Sequence, residues 1–211
     1  MRGLFALAGA AALIGTAFGQ ADSSKYVDPE TNFTFSQFVN DKGIAFRIAI
    51  PPDAKVNDNY EAVVQIVSPI DLGWVGLAWG GSMTYNPLTI VWVNGNDVVL
   101  SSRMAFGYYV PPAYTDATYT VLKKGTHVNA THFQVTATCV GCTLWGDSDT
   151  GVTSLDPTTQ NPLAFAYAAA NVTTPSSNTS AFSIHDLIGH WIHDFPTALN
   201  TDFNATVEKN A

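Results

Sequence analysis

A thioether and an imidazole are the side chains of this sequence whose settings point most directly to chemistry. Met83 closes the run Trp74-Val75-Gly76-Leu77-Ala78-Trp79-Gly80-Gly81-Ser82-Met83, and of the chain's two other methionines one is the initiator Met1. Such scarcity argues against methionine as general core filler, although it can serve that purpose. A thioether held by Gly-Gly at the end of an apolar strand is placed to meet a planar cofactor, because glycine lets the backbone approach a flat ligand closely. The other half of such a site is an imidazole, and His185 in Phe182-Ser183-Ile184-His185-Asp186 is the candidate. Methionine and histidine together form an axial pair for haem iron that raises its potential. Spacing alone leaves the plainer alternative standing: a methionine at a strand end packs in the core or at its rim.

Other residues compete for these roles. His127 and His132 flank Asn129-Ala130-Thr131, which suggests a solvated loop. His185, His190 and His193 are close enough in sequence for a zinc or copper cluster. If their segment is a strand, period two puts His185, Leu187, Gly189, Trp191 and His193 on one side, and His193 becomes a second candidate ligand. Met104 is the alternative thioether. Arg103 reads as a surface charge, with a cofactor carboxylate as its other possible partner. Trp74, Trp79 and Trp92 read as core, since strand tryptophans bury large areas, with a sugar-stacking platform as the alternative.

The first 19 residues carry Arg2 followed by a small, apolar stretch and end in Ala17-Phe18-Gly19, a pattern that reads as a secretory leader over residues 1–19 with the mature domain over 20–211. No segment reaches the roughly 20 apolar residues of a membrane span. Five sequons, at Asn32, Asn129, Asn171, Asn178 and Asn204, fit a secreted, extracellular glycoprotein. The formal charge is −8 without any basic cluster, which argues against nucleic acid and anionic membrane surfaces as partners. Cys139 and Cys142, the only cysteines, are expected to pair in a secreted chain. A redox pair lacks its strand-to-helix context, and a zinc site lacks a second ligand pair. So short a loop gains only ~2 kcal/mol from the link.

Period-two or β-branched runs recur between turn signals: Phe33 to Phe38, Ile44 to Ile50, Tyr60 to Ser68, Trp74 to Ala78, Leu88 to Val93, Asp97 to Ser101, Ala117 to Leu122, His132 to Thr138 and Leu163 to Ala168. Many short strands at regular spacing favour an all-β sandwich or barrel of one domain. Asn94-Gly95 predicts a type I′ hairpin. Ala164 to Ala170 has the composition for one or two helical turns and fits a buried strand equally well, and no long amphipathic helix is expected.

Trp74 to Met83, Val91 to Asn96, Phe106-Gly107-Tyr108, Cys139-Val140-Gly141-Cys142-Thr143-Leu144-Trp145 and Phe182 to Phe195 occur in an order that resembles the haem b cytochrome domain of fungal cellobiose dehydrogenases. The likeness covers essentially the whole chain after the leader and implies an all-β, antiparallel, immunoglobulin-like β-sandwich as a single domain. The resemblance implies Met83 and His185 as axial iron ligands, a haem pocket that includes Gly81, Ser82, Tyr108 and Gly189, and a Cys139–Cys142 turn near the haem. Gly189, Trp191 and Asp194 follow the family spacing from His185. His190 and His193 stand where the family commonly has apolar residues, Ile188 where it often has an aromatic, and Met104 where it tends to have Trp. Tyr108 matches a tyrosine near the haem propionates. With Thr143 after Cys142 there is no Cys-x-x-Cys-His attachment motif, so haem b is expected to be non-covalent.

With both axial positions filled by protein, the implied activity is single-electron transfer without substrate transformation, and reduction of iron is the one further activity it would allow. No flavin fingerprint and no linker run are present, so a stand-alone cytochrome is expected. An extracellular sugar dehydrogenase is the implied donor. A copper polysaccharide monooxygenase or ferric iron is the implied acceptor, in lignocellulose degradation. The competing class is a carbohydrate-binding β-sandwich without haem.

Overall fold

The computed structural model describes residues 21–149 and 151–211, and the leader expected over residues 1–19 lies outside them. In chain order the strands are β1 (Ser24–Val27), β2 (Thr34–Val39), β3 (Ala45–Ala49), β4 (Ala62–Pro69), β5 (Trp74–Ala78), β6 (Pro87–Asn94) and β7 (Asp97–Met104). They continue as β8 (Thr118–Val121), β9 (His127–Val128), β10 (His132–Val140), β11 (Leu144–Asp147), β12 (Gly151–Ser154), β13 (Gln160–Ala168) and β14 (Leu187–Asp194). A 3₁₀ turn (Phe195–Ala198) and helix α1 (Phe203–Asn210) end the chain. One sheet runs β1-β2-β3-β4-β10-β8, with β9 also on β10, and the other runs β14-β13-β5-β6-β7. All their ladders are antiparallel, so the fold is the sandwich that the resemblance implies and one of the two architectures that the strand spacing allows.

Alternation decides which face each residue serves. In β5, Val75 and Leu77 turn into the sandwich with Phe46, Ile48, Val64, Phe133 and Trp191, while Trp74 and Ala78 belong to a cluster on the other face. In β13, Phe165 turns inward, and Ala164 and Ala168 outward. The inter-sheet core is an aromatic pile. Phe38 stacks on Trp191 with ring centroids 4.7 Å apart, and Phe46 stacks on Phe165 at 5.6 Å. A third cluster (Phe33, Phe35, Ala49, Val63, Leu122 and Phe203) seals the outer side of the larger sheet beneath α1.

Several local expectations are corrected. The β6–β7 pairing of Asn94 with Asp97 makes Gly95-Asn96 the two-residue turn, and of these only Gly95 has a positive φ, 64°. That is the requirement of a type II′ turn, not type I′. Ala164 to Ala168, by contrast, is strand as the Leu163 to Ala168 run predicts. Helix α1 escapes a reading by periodicity because its only apolar contacts are Phe203 and Val207, one turn apart. The β11–β12 hairpin escapes it because Gly146 and Gly151, at φ 93° and 85°, break any alternation. Among the described residues no helix is long and apolar enough to cross a membrane. All five sequon asparagines are exposed, four outside regular structure and Asn204 in the first turn of α1.

Phe46 is fully buried between Phe165 and Trp191. Phe46→Ala is expected to lower the unfolding free energy by about 3–5 kcal/mol in a urea titration, because it combines lost transfer energy with a cavity.

Candidate functional site

The outer face of the five-stranded sheet is only partly covered. Trp74, Leu88, Ile90 and Trp92 stand on it with Ala78, Ala164 and Ala168 between them. A Cβ at Gly76 would lie 2.8 Å from Ile90 Cδ1, so this glycine, which the sequence reading passed over, keeps the middle of the face low. Above this floor lies a cavity of about 730 Å³, within the range of small-molecule sites. Met83, Tyr108, Phe182, His185, Ile188 and His190 are among the residues that line it. Met83 and His185, a hundred residues apart in sequence, thus meet at one hollow. A second hollow of about 470 Å³ near Asp53, Tyr60 and Phe203 contains neither a histidine nor a methionine.

Met83 rides on the loop between β5 and β6. Asn86, buried at its base, donates from Nδ2 to Ser82 O, Ser82 Oγ and Thr84 O at 3.1, 2.7 and 3.0 Å. A Cβ on Gly80 would lie 1.8 Å from Asn86 Oδ1 and 2.9 Å from the Trp145 ring. Gly81 has φ 78° and would press its Cβ on Pro162 at 3.1 Å. The two glycines therefore let the loop pack closely on protein. Ser82 lines the cavity; Gly81 does not.

His185 lies between two anchors. Trp74 Nε1 donates to Ser183 Oγ at 3.4 Å, and Phe182 packs on the Trp74 ring at 4.9 Å. On the other side Asp186 Oδ2 accepts from Ala169 N at 2.7 Å, and Asp186 N donates to Tyr167 O at 2.8 Å. Strand β14 begins only at Leu187, so the period-two argument that aligned His185 with His193 does not hold. Ile188 and His190 face the cavity, whereas Trp191 belongs to the inter-sheet core and His193 is fully buried beside it. The three histidines do not converge, and among the described residues no group of three or more His, Cys, Asp or Glu is placed to hold a metal ion. Gly189 also faces inward, where a Cβ would lie 2.4 Å from the Phe165 ring, so its lack of a side chain serves packing against Phe165.

The remaining candidates fall as follows. His127 lies 3.6 Å from Glu30 on the larger sheet, and His132 Nδ1 is 3.0 Å from Thr131 Oγ1. Met104 is core. Tyr108 is 93 % exposed at the cavity rim. Cys139 and Cys142 are disulfide-bonded and buried in the core. They do not line the cavity; their turn meets the Met83 loop through Trp145, whose Nε1 donates to Tyr85 O at 3.0 Å. Arg103 is no surface charge. It is 3 % exposed and donates to Ser101 Oγ and to the carbonyls of Pro111, Asn178 and Ser180. Burial pushes its pKa below the ordinary guanidinium value.

A model of the family described as "Cytochrome domain of cellobiose dehydrogenase" matches residues 26–205. A pyrroloquinoline quinone-dependent pyranose dehydrogenase of Coprinopsis cinerea is 31% identical over 202 residues, an alignment that spans 92% of this chain but 27% of that protein. The chain thus spans about a quarter of the curated relative's length. The cytochrome b domain of Coprinopsis cinerea pyranose dehydrogenase superposes with a TM-score of 0.79 at 24% identity, covering 89% of this chain and 95% of that one. The cytochrome domain of Myriococcum thermophilum cellobiose dehydrogenase superposes with a TM-score of 0.81 at 24% identity, covering 92% and 98%. At that identity the two structures speak for the fold.

His193 carries a pH consequence of its own. Trp191 Nε1 donates to its Nδ1 at 2.9 Å, which leaves the proton of the neutral ring on Nε2, buried without a partner among the described residues. Burial pushes the imidazole down to about 3 from an ordinary 6.5. The unfolded chain therefore binds the extra proton between these values. The stabilising contribution is complete above about pH 6.5, is lost as pH falls, and levels off near pH 3. Unfolding free energies from urea titrations across that window should show a slope of up to about 1.4 kcal/mol per pH unit from this group. In His193→Leu that contribution should vanish, although the loss of the Trp191 acceptor lowers the baseline.

Proposed function

The chain belongs to the family of the cytochrome domain of cellobiose dehydrogenase, and from that premise we propose that it is a haem b electron carrier whose iron is held by Met83 and His185. The observation that carries the reading is the meeting of this thioether and this imidazole at one apolar cavity. The residues fit the group. Gly76, Ala78, Ala164 and Ala166 give a low floor for a planar ring, while Trp74, Ile90 and Phe182 supply apolar contact. Non-covalently bound haem supplies a one-electron ferric/ferrous couple.

The chain's own residues do the rest. Asn86 and the tight packing of Gly80 hold the Met83 loop at one side of the cavity. Trp74 and Asp186 hold the His185 segment at the other. Tyr108 and Ser82, both exposed at the rim, offer hydroxyls where the cavity opens to solvent. Such an opening serves a carrier, since outer-sphere transfer needs only an accessible cofactor edge. The donor in this reading is an extracellular sugar dehydrogenase, a pairing that the dehydrogenase relative supports. Copper polysaccharide monooxygenases or ferric iron are the acceptors, and the protein is a secreted glycoprotein modified at one or more of its exposed sequons.

The purified protein is expected to show a low-spin haem spectrum with a sharp α-band on reduction. Met83→His should lower the midpoint potential, because a thioether favours ferrous iron, and His185→Ala should lose the low-spin bands. An unchanged spectrum in His185→Ala would refute the ligand assignment. Absence of haem would transfer the case to a carbohydrate-binding sandwich. Sugar should reduce the protein only when a separate dehydrogenase is added, as followed at the haem band by stopped flow.

A further inference from the structure

Two irregular segments wall the cavity, and both are tied to one side chain of β7. Arg103 Nη1 donates to Pro111 O at 2.8 Å, the end of the wall formed by Tyr108, Tyr109, Val110 and Pro111. Its Nη2 donates to Asn178 O at 3.1 Å and Ser180 O at 2.7 Å, just before the wall formed by Phe182 to His185. Its Nε donates to Ser101 Oγ at 2.6 Å. Every acceptor is neutral, and among the described residues no carboxylate lies within 4.0 Å of it. A buried guanidinium keeps its proton, and cages of oriented carbonyls make such burial tolerable. The group sits 5.5 Å from the centre of the Phe182 ring, which itself lines the cavity. A full positive charge thus lies against one of the rings that line the cavity, at a buried position where water screens it poorly. A purely mechanical fastener does not require that charge.

We propose that Arg103 both positions the two cavity walls and, through its uncompensated charge, favours the reduced state of the site held by Met83 and His185. The inference rests on the haem reading above. Reduction brings in one electron from an external one-electron donor and removes one unit of positive charge at the iron, with no bond made or broken. A fixed cation nearby therefore stabilises the ferrous form relative to the ferric one.

Potentiometric titration of the purified holoprotein tests this, with Arg103→Met, Arg103→Lys and Ser101→Asp. Ser101→Asp keeps the arginine and places a carboxylate against its Nε. Arg103→Met and Ser101→Asp are each expected to move the ferrous-to-ferric ratio about tenfold toward ferric at a fixed potential, a midpoint drop of about 59 mV for one electron. Arg103→Lys keeps the charge and loses donors. It should shift the midpoint much less, while amide exchange in residues 106–112 and 178–185 quickens. A wild-type midpoint in Ser101→Asp, or an equal drop in Arg103→Lys and Arg103→Met, would reduce Arg103 to a fastener. Should Arg103→Met fail to fold, the other two variants decide by the midpoint: a drop in Ser101→Asp and little change in Arg103→Lys support the proposal, and the reverse overturns it. Failure of the haem reading looks different, because wild-type protein would then show no haem bands to titrate.

Discussion

A sheet that is apolar on both faces has to be covered twice. Here the inner face of the five-stranded sheet is met by the larger sheet, whose Phe46, Ile48, Val64 and Phe133 fill the space with Phe165 and Trp191. Among the described residues the outer face is met by irregular segments such as Tyr108 to Pro111 and Phe182 to His185 instead of a sheet. Trp74, Trp92, Leu88 and Ile90 would remain in water, at roughly 1.5–3 kcal/mol for each side chain left uncovered. Irregular chain does the covering, and it does so only in part. The uncovered remainder, floored by glycine and alanine, is the cavity. The site is thus a consequence of how this face is closed.

Irregular chain laid over a sheet has carbonyl groups with no ladder to receive them, and each must find a donor. Side chains of the sheet supply these donors. Trp92 Nε1 reaches Pro175 O at 2.8 Å, Ser101 Oγ reaches Asn178 O, and Arg103 reaches three carbonyls at once. With Trp74 on Ser183 and Asp186 on Ala169, these bonds fix the path of residues 171–186 and hence the position of His185. The same logic governs the Met83 loop, where one buried asparagine satisfies the turn. Both candidate ligands are therefore held by polar bonds to irregular backbone above a rigid sheet. That arrangement suits a carrier, since geometry that barely changes between oxidation states costs little reorganisation.

The polar interior shows the same economy. His193 is fully buried beside the inter-sheet core, and among the described residues its hydrogen-bond partner is the Trp191 indole. The ring stays neutral, against Phe195 at 5.4 Å. Arg103 is the opposite case, a cation that burial cannot neutralise. One group is buried by surrendering its charge, the other by surrounding that charge with carbonyl dipoles.

Strand order along the chain, the exclusion of long helices and the family resemblance carried by Gly80-Gly81-Ser82-Met83 and Phe182-Ser183-Ile184-His185 were legible in the sequence. Alternation with period two and motif spacing are local properties, and a linear string preserves them. The nine expected strands are all present, each an alternating or apolar run set between turn signals. What the string does not contain is which face each alternating set serves, since that depends on the register of β13 between β5 and β14. Register turned Gly189 and His193 inward, left His190 and Ile188 outward, and made Gly76 the floor of the cavity. Long-range bonds decided the rest. Asn86, Asp186 and Arg103 acquire their roles only from partners brought close by folding, and an arginine in a strand reads as a surface charge until the loops that bury it are in place.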